Sequence, residues 1–303
     1  MNHFGKISVV FFGSGPVAAS CLNLLLQHFN VEAVVTKPKP PHHKHDMPVL
    51  KLAQERGIPV ITASNKAELD VVVAAHQFSS QLAILIDFGI IISEQVINTF
   101  PLGIINSHFS LLPRWRGADP ITFAITSGDT KTGVSLMMVD KGMDTGKLLT
   151  YRTLHLSPGE TSLTLTARLI DLSDLLLAEF VPLYITGDVT PKNQPHPSRV
   201  TYSRKLTKQD GIIDWDLPAE QIERNIRGYI EWPGSHAVLN DINVIITNAQ
   251  VIDGAGKPGG YTINGKELII YTGKGALSIK ALKPAGKKEM PITAFLAGYG
   301  KYL

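Results

Sequence analysis

The chain holds 303 residues, 44 % hydrophobic and 18 % charged, with one cysteine and a formal net charge of +3. That length exceeds a comfortable single core and predicts two domains, and a lone cysteine excludes an internal disulfide framework and suits a reducing compartment. No run is long and apolar enough to predict a membrane span, and the first residues lack the marks of a signal peptide, so the expected location is cytoplasmic.

In chain order, "ISVVFFG" (7–13) predicts a buried strand and "PVAASCLNLLLQHF" (16–29) a helix with Pro16 in its first turn. Cys21, on that helix, is read as a small core residue. "VEAVVTK" (31–37) predicts a second strand, and "MPVLKLAQERG" (47–57) a helix that Gly57 closes. "QLAILIDF" (81–88), "GIINSHF" (103–109) and "GVSLMMVD" (133–140) predict further strands. Continuous Val/Ile/Leu runs alternating with helices predict an α/β, Rossmann-like fold: a mostly parallel sheet covered on both faces. A long helix follows over 162–187, with Gly187 past its end.

Composition then shifts. "DVTPKNQPHPSRVTYSRKLTKQDG" is rich in Pro and polar residues and reads as a linker. "DWDLPAEQIERNIRGY" predicts a helix with Asp216 as N-cap and Pro218 in the first turn. Short alternating strands punctuated by Gly and Asn complete the chain and predict a small β-barrel or sandwich. Residues 199–303 hold 14 Lys/Arg against 10 Asp/Glu, whereas the remainder holds 15 against 16. A mildly basic C-terminal part suits a polyanionic partner.

Four motifs carry possible chemistry. Gly13, Gly15 and Ala18 have the G-x-G-x-x-A spacing of a dinucleotide turn, but the second strand ends on Thr36 and Lys37 and not on a carboxylate. Two readings stay open: an NADP-type site served by lysines, or a turn that only shapes the strand–helix junction. In "KPKPPHHKHDMP" (37–48), His42, His43, His45 and Asp46 could ligate a metal, or the stretch is a solvated basic loop able to meet phosphates. Asn106 and His108 sit two apart at the end of a strand, so both side chains share one face. They could hydrogen-bond one developing oxyanion and manage one proton, or simply cap the strand. Asp140 and Asp144 flank "KGM" on a loop loosened by Gly142 and Gly146. Either carboxylate could reach His108 and fix its tautomer, or the loop is a charged turn.

The ordered stretches "NSHFSLLPRWRGADP" and "GDTKTGVSLMMVDKGMDTGKLL" resemble the signature of the folate-dependent formyltransferases. The likeness begins at "VVFFGSGPVA". It continues through "TYSRKLTKQDGIIDW", "IRGYIEWPGS" and "KPAGKKEM", which resemble the branch of the family acting on methionyl-tRNA. The resemblance implies a catalytic domain over 1–189, a linker over 190–207 and an OB-like, tRNA-binding β-barrel over 208–303. It implies a catalytic trio of Asn106, His108 and Asp144, with 10-formyltetrahydrofolate as donor, no metal and no covalent intermediate. Phe88, Gly89, Ile90 and Ile91, with Ser110, Leu111, Leu112, Pro113, Asp140 and Gly142, are the implied folate contacts. Gly13, Lys37, Lys39, Arg114, Arg116, Lys287 and Lys288 are the implied acceptor contacts. The implied acceptor is initiator tRNA charged with methionine, and a monomer away from any membrane is expected. Asp87, Phe109, Asp119 and Lys147 depart from the family pattern. Competing readings are formylation of an amino-sugar nucleotide, an NAD(P)-dependent oxidoreductase, and a non-enzymatic nucleic-acid binder.

Overall fold

The computed structural model describes residues 6–41, 47–195 and 197–303. The candidate ligands His42, His43, His45 and Asp46 lie outside the described residues. The chain divides into two compact units, the first made of residues 1–117, 132–154 and 166–202, the second of 118–131, 155–165 and 203–303. Among the described residues, no helix is long and apolar enough to cross a membrane.

The first unit is built on β1 (Ser8–Phe12), α1 (Pro16–His28), β2 (Asn30–Thr36), α2 (Pro48–Glu55), β3 (Val60–Thr62), α3 (Lys66–Ala74), β4 (Ala83–Leu85), α4 (Glu94–Asn98) and β5 (Ile104–His108). After β6 (Arg116–Gly117) and α5 (Pro120–Thr126), the chain returns through β7 (Lys131–Met138) and β8 (Leu148–His155), then runs into α6 (Ser162–Thr186). The sheet order is β3-β2-β1-β4-β5-β7-β8. β3, β2, β1, β4 and β5 pair in parallel, and β7 runs antiparallel to β5.

Val9, Val10, Phe11 and Phe12 of β1 are all fully buried, which explains why the strand is continuously apolar after Ser8 instead of alternating. Phe12 meets Phe88 and Phe100 edge to face, with ring centroids 5.5 and 5.9 Å apart. Strand order reverses at β1, between β2 and β4. Open α/β sheets bind ligands outside the carboxyl ends of the strands at such a point.

The strand expected over 81–88 shortens to Ala83–Leu85. Asp87 and Gly89 adopt left-handed backbone (φ 47° and 67°), which turns the chain out of the sheet. Gly187, at φ 83°, closes α6 as expected. Cys21 lies buried on α1; burial foremost, then the Asp174, Asp87 and Asp171 carboxylates, push its thiol up to about 12. It is a core residue.

The second unit contains α5, then β9 (Tyr202–Ser203) at its border, α7 (Ala219–Gly228), β10 (Ser235–Leu239), β11 (Ile242–Ile252), β12 (Tyr261–Asn264), β13 (Glu267–Tyr271), β14 (Ala276–Pro284), β15 (Met290–Pro291) and α8 (Ile292–Tyr299). Its sheet is antiparallel, in the order β10-β11-β14-β13-β12, with β15 branching from β14. Ile222 and Ile226 of α7 join Val244, Leu268, Leu277 and Phe295 in one buried cluster. Asp216 is not the N-cap of α7. Pro218 takes that place, the Asp216 N–H donates to Asp214 Oδ1 (3.0 Å), and the Lys274 carbonyl satisfies the Ala219 N–H (2.9 Å). The helix starts two residues later than expected, and Asp216 closes an Asx turn on Asp214 ahead of it. Asp119, one of the departures from the family pattern, has left-handed backbone (φ 54°) and accepts the Leu206 N–H (3.1 Å).

Candidate active site

The site grows from the end of β5. Register places Asn106 beside Leu85 of β4 on one side and Met137 of β7 on the other. Ser107 points to the opposite face, where its Oγ lies 2.6 Å from Ser173 Oγ of α6. Asn106 and His108 therefore share the other face, as strand alternation requires.

Three further segments complete the arrangement. Beyond β5, buried serines fold the "SLLP" stretch: Ser110 Oγ donates to the Arg114 carbonyl (2.6 Å), and Ser135 Oγ donates to the Ser110 carbonyl (2.7 Å) while accepting the Leu112 N–H (3.1 Å). The turn leaves Trp115 left-handed (φ 58°) and brings its carbonyl oxygen 2.8 Å from His108 Nε2. A carbonyl only accepts, so the hydrogen belongs on Nε2 in the neutral ring. His108 Nδ1 then faces Asp144 Oδ2 at 3.7 Å. Asn106 Nδ2 stands 3.5 Å from Asp144 Oδ1, and the Gly117 N–H donates to Asp144 Oδ2 at 2.6 Å.

The 140–147 loop presents Asp144 from below this point. Asp140 Oδ1 accepts both the Gly142 N–H (3.0 Å) and the Thr145 hydroxyl (2.7 Å), so Asp140 shapes the loop. A Cβ on Gly146 would collide with the Met138 carbonyl oxygen, which is why the loop needs glycine there. Asp144 itself is left-handed (φ 51°), at a cost of roughly 1–2 kcal/mol for a non-glycine residue. The Asp144 carboxylate is 16 % exposed and the His108 ring 7 %. The gaps of 3.5 and 3.7 Å from Asp144 to the amide and to the imidazole exceed a good hydrogen bond. An amide donor, a ring nitrogen and a carboxylate thus converge on one point without closing good hydrogen bonds on one another.

Residues 6–181 match the formyl transferase family, and residues 205–300 match the formyl transferase C-terminal domain. The chain belongs to the formyl transferase family. A Myxococcus xanthus protein named methionyl-tRNA formyltransferase is 34 % identical over 296 residues, covering 96 % of this chain and 95 % of that one. A Pelobacter propionicus protein of the same name is 36 % identical over 297 residues, covering 96 % and 93 %. Among solved structures, the fold is shared with an N-formyltransferase from Helicobacter canadensis in complex with folinic acid and dTDP-3-aminofucose, at a TM-score of 0.70, 18 % identity, and coverage of 94 % of this chain and 100 % of that one. It is also shared with HypX from Aquifex aeolicus in complex with tetrahydrofolic acid, at a TM-score of 0.64, 18 % identity and coverage of 97 % of this chain. The chain spans about half the length of HypX, covering 47 % of it.

In this formyl transferase the other expected contacts are distributed unevenly. Phe88 is buried in the core, Gly89 is exposed, Ile90 packs partly on the core and Ile91 is 73 % exposed. These residues leave the sheet at the carboxyl end of β4, next to Asn106. Ser110, Leu112 and Pro113 are buried, and Leu111 is half-buried; the Ser110 hydroxyl and carbonyl are engaged in folding their own loop. Gly13 is buried; its N–H donates to the Val35 carbonyl (3.1 Å), and a Cβ there would meet Phe11, Ala18 and the Ile86 carbonyl. A Cβ on Gly15 would strike the Asp87 carboxylate. The Asp87 carboxylate thus crowds the Gly15 turn, an unfavourable neighbour for a dinucleotide's pyrophosphate. Lys37 Nζ donates to the Gly89 carbonyl (3.1 Å), and Lys39 is exposed. The Arg114 guanidinium lies 4.2 Å over the Trp115 ring, and Arg116 Nη2 donates to Gln194 Oε1 (2.7 Å). Lys287 and Lys288 are exposed in the second unit, between β14 and β15.

The sequence reading missed Gly117, Thr201 and Gln194. Gly117 acts through its N–H, which any residue carries. Thr201 and Gln194 lie in the polar stretch expected as a linker, where no periodicity marks a side chain as engaged.

Proposed function

We propose that this formyl transferase moves the formyl group of 10-formyltetrahydrofolate to the α-amino group of methionine esterified to initiator tRNA, in the cytoplasm, ahead of translation initiation. The observation that carries the reading is the meeting of Asn106, His108 and Asp144 at one point by the carboxyl end of β5. Relatives named methionyl-tRNA formyltransferase, similar over 96 % of the chain, support the acceptor.

The residues present fit a reduced-folate donor. Exposed Ile91 and the main chain at Gly89 offer an apolar face and amide groups beside the polar trio, the mixture that holds a flat heterocycle. When bound, the donor supplies a one-carbon unit at the formyl oxidation level. As the methionyl amine attacks, negative charge gathers on the formyl oxygen. Asn106 Nδ2 donates to that oxygen, and His108 Nδ1 joins it once the ring has taken the amine's proton; one such donor contributes roughly 10²–10³ in rate, about 3–4 kcal/mol. Asp144 balances the imidazolium charge. The amine gives up one proton and the departing folate nitrogen takes one, and the His108–Asp144 pair holds it between the two events. The Trp115 carbonyl keeps Nε2 occupied, so Nδ1 is the edge that works.

Exposed Lys287 and Lys288 are proposed to meet tRNA phosphates, which position the acceptor without reading its sequence. Replacing both with alanine should weaken binding of charged tRNA and lower the slope of log affinity against log salt by about 1–2. An unchanged slope in a filter-binding titration would remove that surface from the interface.

The reading is tested by offering the protein 10-formyltetrahydrofolate with charged initiator tRNA or with a dTDP-linked amino sugar. Formylation of the tRNA, with the sugar left untouched, is expected; the reverse preference would overturn the acceptor.

A further inference from the structure

The side chains that hold the trio's supports come from the stretch between α6 and β9. Gln194, half-buried, has three partners there. Its Nε2 donates to the Asp144 carbonyl (2.8 Å) and to the Gly146 carbonyl (2.9 Å), and its Oε1 accepts from Arg116 Nη2 (2.7 Å). Both amide hydrogens are therefore used. The two carbonyls belong to the loop that carries Asp144. Arg116 directly follows Trp115, whose carbonyl holds His108 Nε2. One side chain thus joins the carboxylate loop to the segment that orients the imidazole.

The neighbours of Gln194 fix its place. The Lys192 and Leu148 backbones exchange hydrogen bonds of 2.8 and 2.7 Å two residues before it. At the far end of the stretch, Thr201 Oγ1 accepts the Trp115 N–H (2.9 Å) and the Thr201 carbonyl accepts the Arg116 N–H (2.9 Å). The two left-handed residues that flank His108, Trp115 and Asp144, are each tied by this stretch at their own backbone. A non-glycine residue keeps such a conformation only where its surroundings impose it.

We propose that Gln194 is a positioning residue for formyl transfer: its amide holds Asp144 in the left-handed state that sets the carboxylate between Asn106 and His108. The inference rests on the function proposed above and adds a residue to that site; Gln194 itself touches no reacting atom. Glutamate at this position keeps an oxygen for Arg116 but turns a carboxylate on two carbonyl oxygens and cannot donate. Methionine keeps the bulk and none of the three bonds.

The test measures kcat and KM for Gln194→Met and Gln194→Glu, alone and combined with Asp144→Asn. Each single variant should lower kcat by about 10–100-fold with both KM values within about threefold, whereas in the Asp144→Asn background the same change should cost less than about threefold. Equal losses in the two backgrounds, wild-type turnover in Gln194→Glu, or melting temperatures lowered by more than about 8 °C in both variants would overturn the proposal. A crystal structure of Gln194→Met reads positioning independently of the acceptor. The Asp144 carboxylate should leave the Gly117 N–H, and its retention there would overturn the inference. If wild-type protein fails to formylate charged tRNA, the acceptor reading falls, and the crystal structure still decides the role of Gln194.

Discussion

Replacing His108 with alanine is expected to lower formyl transfer by about 10²–10⁴-fold while leaving folding and donor binding nearly intact. The imidazole is the one group of the trio that can both donate to the developing oxyanion and carry a proton. Its ring is buried, and its two nitrogens have one polar neighbour each: Nε2 meets the Trp115 carbonyl, and Nδ1 faces Asp144 across 3.7 Å. Alanine leaves the Trp115 carbonyl to solvent or an ordered water and removes no apolar anchor of the core. The loss should therefore appear in kcat, with the donor KM within a few-fold, because interactions made only in the transition state register in turnover. A variant that keeps more than about a tenth of wild-type turnover would show that His108 is not the proton carrier.

Asp144→Asn is expected to cost about 10²–10⁴-fold in kcat by a different route. Asparagine keeps an oxygen for the Gly117 N–H, which lies 2.6 Å from Asp144 Oδ2, so the loop retains its anchor. Only the charge is lost. Without it the protonated ring of His108 has no counter-ion at its working edge, and the proton released by the amine has no stabilised resting place. Steady-state kinetics and a thermal melt on the same preparation separate the two contributions: turnover should collapse while the melting temperature stays within a few degrees. A large drop in both would mean that the carboxylate mainly holds the loop.

Much of the first unit was legible from residue pattern. Strands at 7–13, 31–37 and 103–109 and helices at 16–29, 47–57 and 162–187 appear within a residue or two, because unbroken apolar runs and terminal glycines are strong local signals. The three-residue β3 and β4 and the short α3 and α4 are weak signals; their limits come from tertiary pairing, as the left-handed Asp87 that ends the expected 81–88 strand illustrates. Asp216 failed as a cap because α7 begins only at Ala219, which leaves Asp216 two residues short of the N-cap position. At the site, alternation correctly placed Asn106 and His108 on one face, and family likeness singled out Asp144. The contributions of Gln194 and Thr201 were invisible because their partners lie tens of residues away, and that of the Trp115 carbonyl because it is a backbone group aimed by a tight turn, which no local pattern encodes.

An amide, an imidazole and a carboxylate are proposed to enclose the transferred one-carbon unit. A crystal structure of the protein with a non-transferring folate analogue that carries its formyl group on N10 decides this. The formyl oxygen is expected within about 3.2 Å of both Asn106 Nδ2 and His108 Nδ1, with the ring system against residues 88–92. A formyl group seated beyond about 6 Å from both donors, or a ring system bound away from the carboxyl ends of β4 and β5, would overturn the proposal.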